Sequence, residues 1–252
     1  MLNQLPLSFK LLDNATFVSF FTGVNNQQVL FGLQQFLRLN KNNDVLKNND
    51  NISIKENFLY LWGKSGVGKT HLLQAMCNYA LENNIQAMYI SLEQIANLKF
   101  SSNDNQYDYL SGLETIELLC LDDLQFITNH VELQEKVFYL FNKIRTLGNK
   151  LIISANASPL YIPLNLLDLK SRMSWGVTYL LSELSDAEKI SALMMRAKQI
   201  GLDLRLEVAK FLLARIPRST KDLFATLQAL DSATLAAKRK LTVPFVKDFL
   251  GV

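Results

Sequence analysis

Between an apolar run and the start of a helix, the residues Gly63-Lys64-Ser65-Gly66-Val67-Gly68-Lys69-Thr70 spell G-x-x-x-x-G-K-T. These types at this spacing make a phosphate cradle. Gly63, Gly66 and Gly68 let the backbone curl until its N–H groups converge on phosphate oxygens, a task that side chains would obstruct. Lys69 adds a cation at the outer phosphates and Thr70 a hydroxyl for magnesium, while the helix through His71 turns its positive end to the same anion. The rival reading, a glycine-rich turn with an accidental Lys-Thr, is disfavoured by the flanking strand and helix that the motif requires. Residues 63–71 are therefore the expected nucleotide contacts, with ADP or ATP as ligand and Mg²⁺ as the companion ion.

Such a loop needs an acidic partner at the end of a neighbouring apolar strand, and Leu118-Leu119-Cys120-Leu121-Asp122-Asp123 supplies one. Asp122 is placed to hold magnesium through water, and Asp123 to orient or deprotonate an attacking water. A later strand, Leu151-Ile152-Ile153-Ser154-Ala155-Asn156, ends in a polar residue where a γ-phosphate or catalytic water can be sensed, although Asn is also common at strand ends for turn reasons. Arg172, in Leu169-Lys170-Ser171-Arg172-Met173-Ser174-Trp175-Gly176, has two readings: a finger for a neighbour's phosphate, or a surface arginine paired with a carboxylate.

The elements that position these residues alternate. Strands are predicted at 58–62, 87–91, 117–121, 150–154 and 177–181, with helices at 70–83, 92–98 and 131–146 between them and another from Asn25 to Leu39 before them. That order predicts an α/β fold built on a mainly parallel sheet, with the fully apolar strand at Leu118 in its centre. From about residue 183 the periodicity is wholly helical, in segments near 186–200, 206–215, 219–237 and 243–250, so a smaller all-helical domain follows. The expected division is a tail at 1–10, an α/β P-loop domain at 11–182 and a helical domain at 183–252, packed rigidly apart from a hinge near Glu183. Residues 40–51 are polar and Asn-heavy, which predicts a solvated loop.

Composition narrows the classes further. Hydrophobic residues make up 49% and charged ones 19%, an ordinary globular balance that points neither to disorder nor to a fibre. The formal charge of +3 is too small for a strong overall nucleic-acid footprint. No apolar run spans a bilayer and no secretory signal starts the chain, so a cytoplasmic protein with no membrane partner is expected. Cys77 and Cys120 lie in apolar segments and read as buried thiols, and with only His71 and His130 besides there is no metal-ligand cluster.

Taken together, the P-loop, Asp122-Asp123-Leu124-Gln125-Phe126, the strand ending at Asn156 and the Ser171-Arg172 segment resemble the AAA+ module of the bacterial replication initiator DnaA over roughly residues 13–250. The resemblance implies an AAA+ P-loop domain followed by a helical lid, and it implies that Arg172 acts as a finger. It places adenine contacts near Thr22 and Gly23, and a lid contact to the nucleotide at Lys221, where the family offers Arg. Lys lacks the planar fork of Arg, so looser coupling between lid and γ-phosphate is expected. Neither an N-terminal helicase-contact domain nor a helix-turn-helix DNA reader is recognisable.

The segment Gln4-Leu5-Pro6-Leu7-Ser8-Phe9 is similar to the peptide by which proteins dock on the DNA-polymerase sliding clamp, with Gln4, Leu5, Leu7 and Phe9 as the contacts. Joined to an initiator-like module, it resembles the Hda group of initiator-related regulators. The resemblance implies a negative regulator of replication initiation that stimulates hydrolysis of DnaA-bound ATP, meets DNA mainly through the clamp, sits at the nucleoid through the replisome, and is a monomer or homodimer. The alternative is a self-contained AAA+ ATPase, a helicase loader or remodelling motor, for which Lys69, Thr70, Asp122, Asp123 and Asn156 supply the hydrolytic parts.

Overall fold

The computed structural model describes residues 11, 15–38, 57–97, 108–217 and 219–251. The predicted clamp-binding residues Gln4 to Phe9 and the predicted loop at 40–51 lie outside the described residues.

After a 3₁₀ turn at Val24–Asn26, helix α1 (Gln27–Arg38) precedes strand β1 (Phe58–Trp62) and helix α2 (Lys69–Glu82). There follow β2 (Ala87–Ser91), α3 (Leu92–Asn97), β3 (Leu118–Asp122), α4 (Val131–Leu147), β4 (Lys150–Ala155), α5 (Leu167–Met173) and β5 (Val177–Leu180). The strands form one sheet in the order β2-β3-β4-β1-β5, every neighbouring pair parallel. In β3 and β4 every residue is buried, because helices cover both faces of a crossover-connected sheet.

The strand alternation divides the core in two. Tyr60, Leu119, Leu121, Ile153 and the inner residues of α4 face one side. Leu59, Leu61, Cys120 and Ile152 face the other, against α1 and α2. Cys77 and Cys120 meet on that second side, fully buried, where the apolar surroundings push the Cys120 thiol well up and remove it from thiolate chemistry.

A third apolar cluster comes from α6 (Asp186–Gln199), α7 (Leu206–Arg215), α8 (Thr220–Ala237) and α9 (Val243–Leu250), and it forms the helical lid. Ser185 opens α6 with a capping box to Glu188, and Ser219 and Thr242 accept from the first turns of α8 and α9. The predicted lid helices agree with these to within a residue or two. The short α5 lies outside the predicted helices, and β3 runs one residue later than expected, through Asp122.

Candidate nucleotide site

All five strands end on one edge, and the P-loop crosses that edge directly after β1. Gly63 N–H donates to Ala155 O on β4 at 3.2 Å, and a side chain at Gly63 would strike Leu181 O, so the loop is pinned flat against the sheet. Gly66 and Gly68 have φ of +80° and +104°, values that favour glycine. Lys69 is buried at 6% exposure and donates to Gly63 O and Lys64 O at 2.9 and 3.0 Å. Burial pulls its ammonium down, and Asp123 and Asp122 push it back up. A desolvated cation whose acceptors are only loop carbonyls fits a phosphate chain lying in the same curl. Lys64 and Ser65 are exposed, as is Thr70, while Gly66, Val67 and Gly68 are half-buried.

Asp122 is completely buried, and both of its oxygens accept hydroxyl donors: Tyr89 Oη at 2.8 Å and Ser154 Oγ. This arrangement fits a magnesium role exercised through water rather than by direct ligation. Asp123 sits at φ +63°, which turns its carboxylate away from the strand. Its N–H donates to Ser154 Oγ at 3.0 Å, and its Oδ1 accepts from Gln125 Nε2 at 2.8 Å. Burial, then the Asp122 charge, raises its pKa above the ordinary 3.8, the direction that a base needs. Gln125 Oε1 accepts the N–H of exposed Asn156 at 3.1 Å, so one side chain ties Asp123 to the end of β4.

The segment before α1 closes the site from above. Phe20 lies so close to Gly68 that a β-carbon there would stand 2.7 Å from its ring. His71 turns its ring to this segment, with Nε2 3.1 Å from both Ser19 Oγ and Thr16 O, so its side chain braces the segment rather than lining the cradle. Thr22 is half-buried and Gly23 buried, the latter against Leu184 and Glu188 of the lid. Lys221 is exposed on the first turn of α8, its Cβ 3.6 Å from where a Gly66 side chain would begin, so α8 approaches the P-loop at this residue.

Arg172 lies elsewhere. It sits at the end of α5, and four residues on, Gly176 packs against the carbonyl of Phe58, the first residue of β1. The five residues of β1 separate that edge from the P-loop by roughly 15 Å. Among the described residues Arg172 pairs with no carboxylate, and its guanidinium stacks on Trp175 and Phe138.

Tyr89, Ser154, Gln125 and Phe20 are the site residues that sequence reasoning passed over. The polar Ser154 inside an otherwise apolar strand was the one available signal.

The family model for the bacterial DnaA ATPase domain matches residues 11–180, more than half of the chain. The chain belongs to that family. The model for the Hda lid domain matches residues 186–250, so the protein is an Hda-like, DnaA-related AAA+ protein. An uncharacterized protein of Haemophilus influenzae is 40% identical over 253 residues, with all of both chains covered. Domain III of DnaA from Thermotoga maritima superimposes with a TM-score of 0.78 at 20% identity, covering 96% of this chain and 98% of that one. AMPPCP-bound DnaA from Aquifex aeolicus matches at a TM-score of 0.67 and 23% identity, covering 88% of this chain and 66% of that one. Among the described residues of this DnaA relative no helix is long and apolar enough to cross a membrane.

Proposed function

We propose that this protein is a nucleotide-bound negative regulator of replication initiation that docks on the DNA-loaded sliding clamp and supplies Arg172 to ATP held by the initiator DnaA. The observation that carries the reading is the position of Arg172. At the sheet edge opposite its own P-loop, and without a carboxylate partner among the described residues, it is out of reach of its own nucleotide and available to another molecule's. An arginine finger supplied in trans is worth about three to five orders of magnitude in rate, so this one residue suffices as the chemical device.

In this reading the P-loop residues 63–71, Thr22, Gly23 and Lys221 hold ADP or ATP. Thr70 and Asp122 seat Mg²⁺, whose chemistry is to neutralise charge between the phosphates. Asp123 and Asn156 face the terminal phosphate. Gln4, Leu5, Leu7 and Phe9 engage the clamp, which raises the local concentration of the finger near its target.

The test is hydrolysis of labelled ATP bound to DnaA, with the clamp loaded on DNA. Parent chain should accelerate it, Arg172→Ala should bind clamp without accelerating it, and Leu7→Ala should fail by losing recruitment. Acceleration by Arg172→Ala equal to that of the parent would remove the finger assignment. The second reading, a self-contained loader or motor, has the intact Lys69, Thr70, Asp122 and Asp123 in its favour. It predicts ATP turnover and nucleotide-dependent assembly without DnaA.

A further inference from the structure

Arg172 is held in a specific seat. Its Cζ lies 4.1 Å from the centroid of the Trp175 ring and 5.0 Å from that of Phe138, while its Nε–H is buried with no acceptor among the described residues. A second guanidinium, that of Arg145 at the end of α4, stacks on the same indole at 4.5 Å. Neither arginine pairs with a carboxylate among the described residues. An arginine that served only the fold would be expected to satisfy its Nε–H and neutralise its charge. This one does neither.

The indole itself is fixed from below. Trp175 meets Phe141 edge-on at 6.4 Å, and Phe141 meets Phe58 edge-on at 4.9 Å, so a row of rings runs from the seat into the sheet core. The backbone N–H of Trp175 donates to Arg172 O at 3.0 Å. Gly176 packs so tightly on Phe58 that a β-carbon would stand 2.3 Å from its carbonyl oxygen. The ring therefore has little freedom to move, although 42% of Trp175 is exposed.

We propose that Trp175, with Phe138 beside it, is the positioning residue of Arg172, holding the guanidinium against the rings so that its edge is presented to an anionic phosphoryl group on another molecule. The proposal rests on the finger reading above. Stacking covers the faces of a guanidinium and leaves its in-plane Nη–H groups, a pair that can bind phosphate bidentately, at the open edge. It also removes rotamer freedom that an unrestrained arginine side chain would lose on engaging its target. Arg145 on the same indole adds positive potential without neutralising it, which favours an anion at this spot. A carboxylate partner in place of the rings would hold Arg172 equally still but would compete with phosphate for the same N–H groups.

The experiment compares Trp175→Ala, Trp175→Phe and Arg172→Ala in clamp-dependent hydrolysis of DnaA-bound ATP, separating the rate at saturation from the concentration giving half-maximal effect. Trp175→Ala should lower the saturating rate roughly tenfold or more with clamp binding unchanged, and Trp175→Phe should restore most of it, since a phenyl face still stacks. The second readout is the Arg172 Nε–H resonance, assigned by its loss in Arg172→Ala. It should be displaced by ring current and exchange slowly in the parent and in Trp175→Phe, and move to the position of exposed arginines in Trp175→Ala.

If Arg172→Ala is inactive while Trp175→Ala stimulates like the parent, the positioning role is wrong and the finger stands. If Arg172→Ala is itself fully active, the finger reading fails instead. Should Trp175→Ala not fold, a parent Nε–H that exchanges as fast as those of exposed arginines is enough to overturn the proposal.

Discussion

Asp123 occupies a left-handed backbone conformation at a half-buried position beside another carboxylate, and each feature opposes stability. Burial and the Asp122 charge raise its pKa, so at neutral pH the ionised side chain is less favourable in the folded chain than in the unfolded one. Between 3.8 and the raised value the folded state binds more protons, so the handicap shrinks as pH falls and is absent below 3.8. Asp123→Asn keeps an acceptor for Gln125 and tolerates positive φ, while discarding the charge. It should therefore raise the thermal midpoint at pH 7 by about 2–4 °C while impairing hydrolysis, with the gain fading as pH is lowered. A midpoint that falls at pH 7 would show that the carboxylate is needed for the fold. The two acids were legible from sequence because they end an apolar run. Tyr89 and Ser154, which grip Asp122, were not, because their proximity depends on β2, β3 and β4 lying in a register that only the folded sheet sets.

The strands and longer helices were legible for a plain reason: apolar runs and helical spacing persist for five residues or more and carry their own period. Helix α5 is different. It spans seven residues, buries Leu169 and Met173, and has no capping side chain of its own, so no periodicity had room to show. What fixes its start is Gln134 on α4, buried, with its amide fully used. Nε2 donates to Ile127 O and Thr128 O at 3.0 and 2.8 Å, and Oε1 accepts from Asn165 N and Leu166 N at 3.0 and 2.9 Å. One side chain thus ties the turn after the acidic pair to the entrance of the helix that carries Arg172. Gln134→Leu preserves volume but leaves two carbonyls and two N–H groups without this partner. It should destabilise the chain by about 2–4 kcal/mol in urea unfolding and speed amide exchange at Asn165 and Leu166 ahead of the α4 interior. Unchanged exchange at those two amides would mean that the loop holds α5 by other contacts.

The lid and the sheet domain meet where the nucleotide base is expected, and the contacts are few enough to name. Asn26 clasps the segment between β5 and α6 in both directions, donating to Ser182 O at 3.0 Å and accepting from Ser182 N at 2.8 Å. Glu188 of α6 accepts the Val24 N–H at 2.8 Å, and Lys64 of the P-loop pairs with Glu183 at 3.3 Å across an exposed surface, where such a pair contributes little. Phe20 and Gly23 lie between these contacts, touching the P-loop on one side and the lid on the other. A nucleotide seated there must bridge sheet domain, N-terminal segment and lid at once, so its binding free energy includes the ordering of all three against one another. Severing the clasp with Asn26→Ala leaves the lid core and the sheet core intact but makes the nucleotide do more of the ordering. ADP should then bind about tenfold more weakly by calorimetry, a difference of 1.4 kcal/mol, and the rise in thermal midpoint at a fixed ADP concentration should shrink accordingly. Parent-like affinity in Asn26→Ala would mean that this clasp takes no part in ordering the nucleotide slot, and Lys221 of α8, beside the P-loop, would then be the lid's route to the nucleotide.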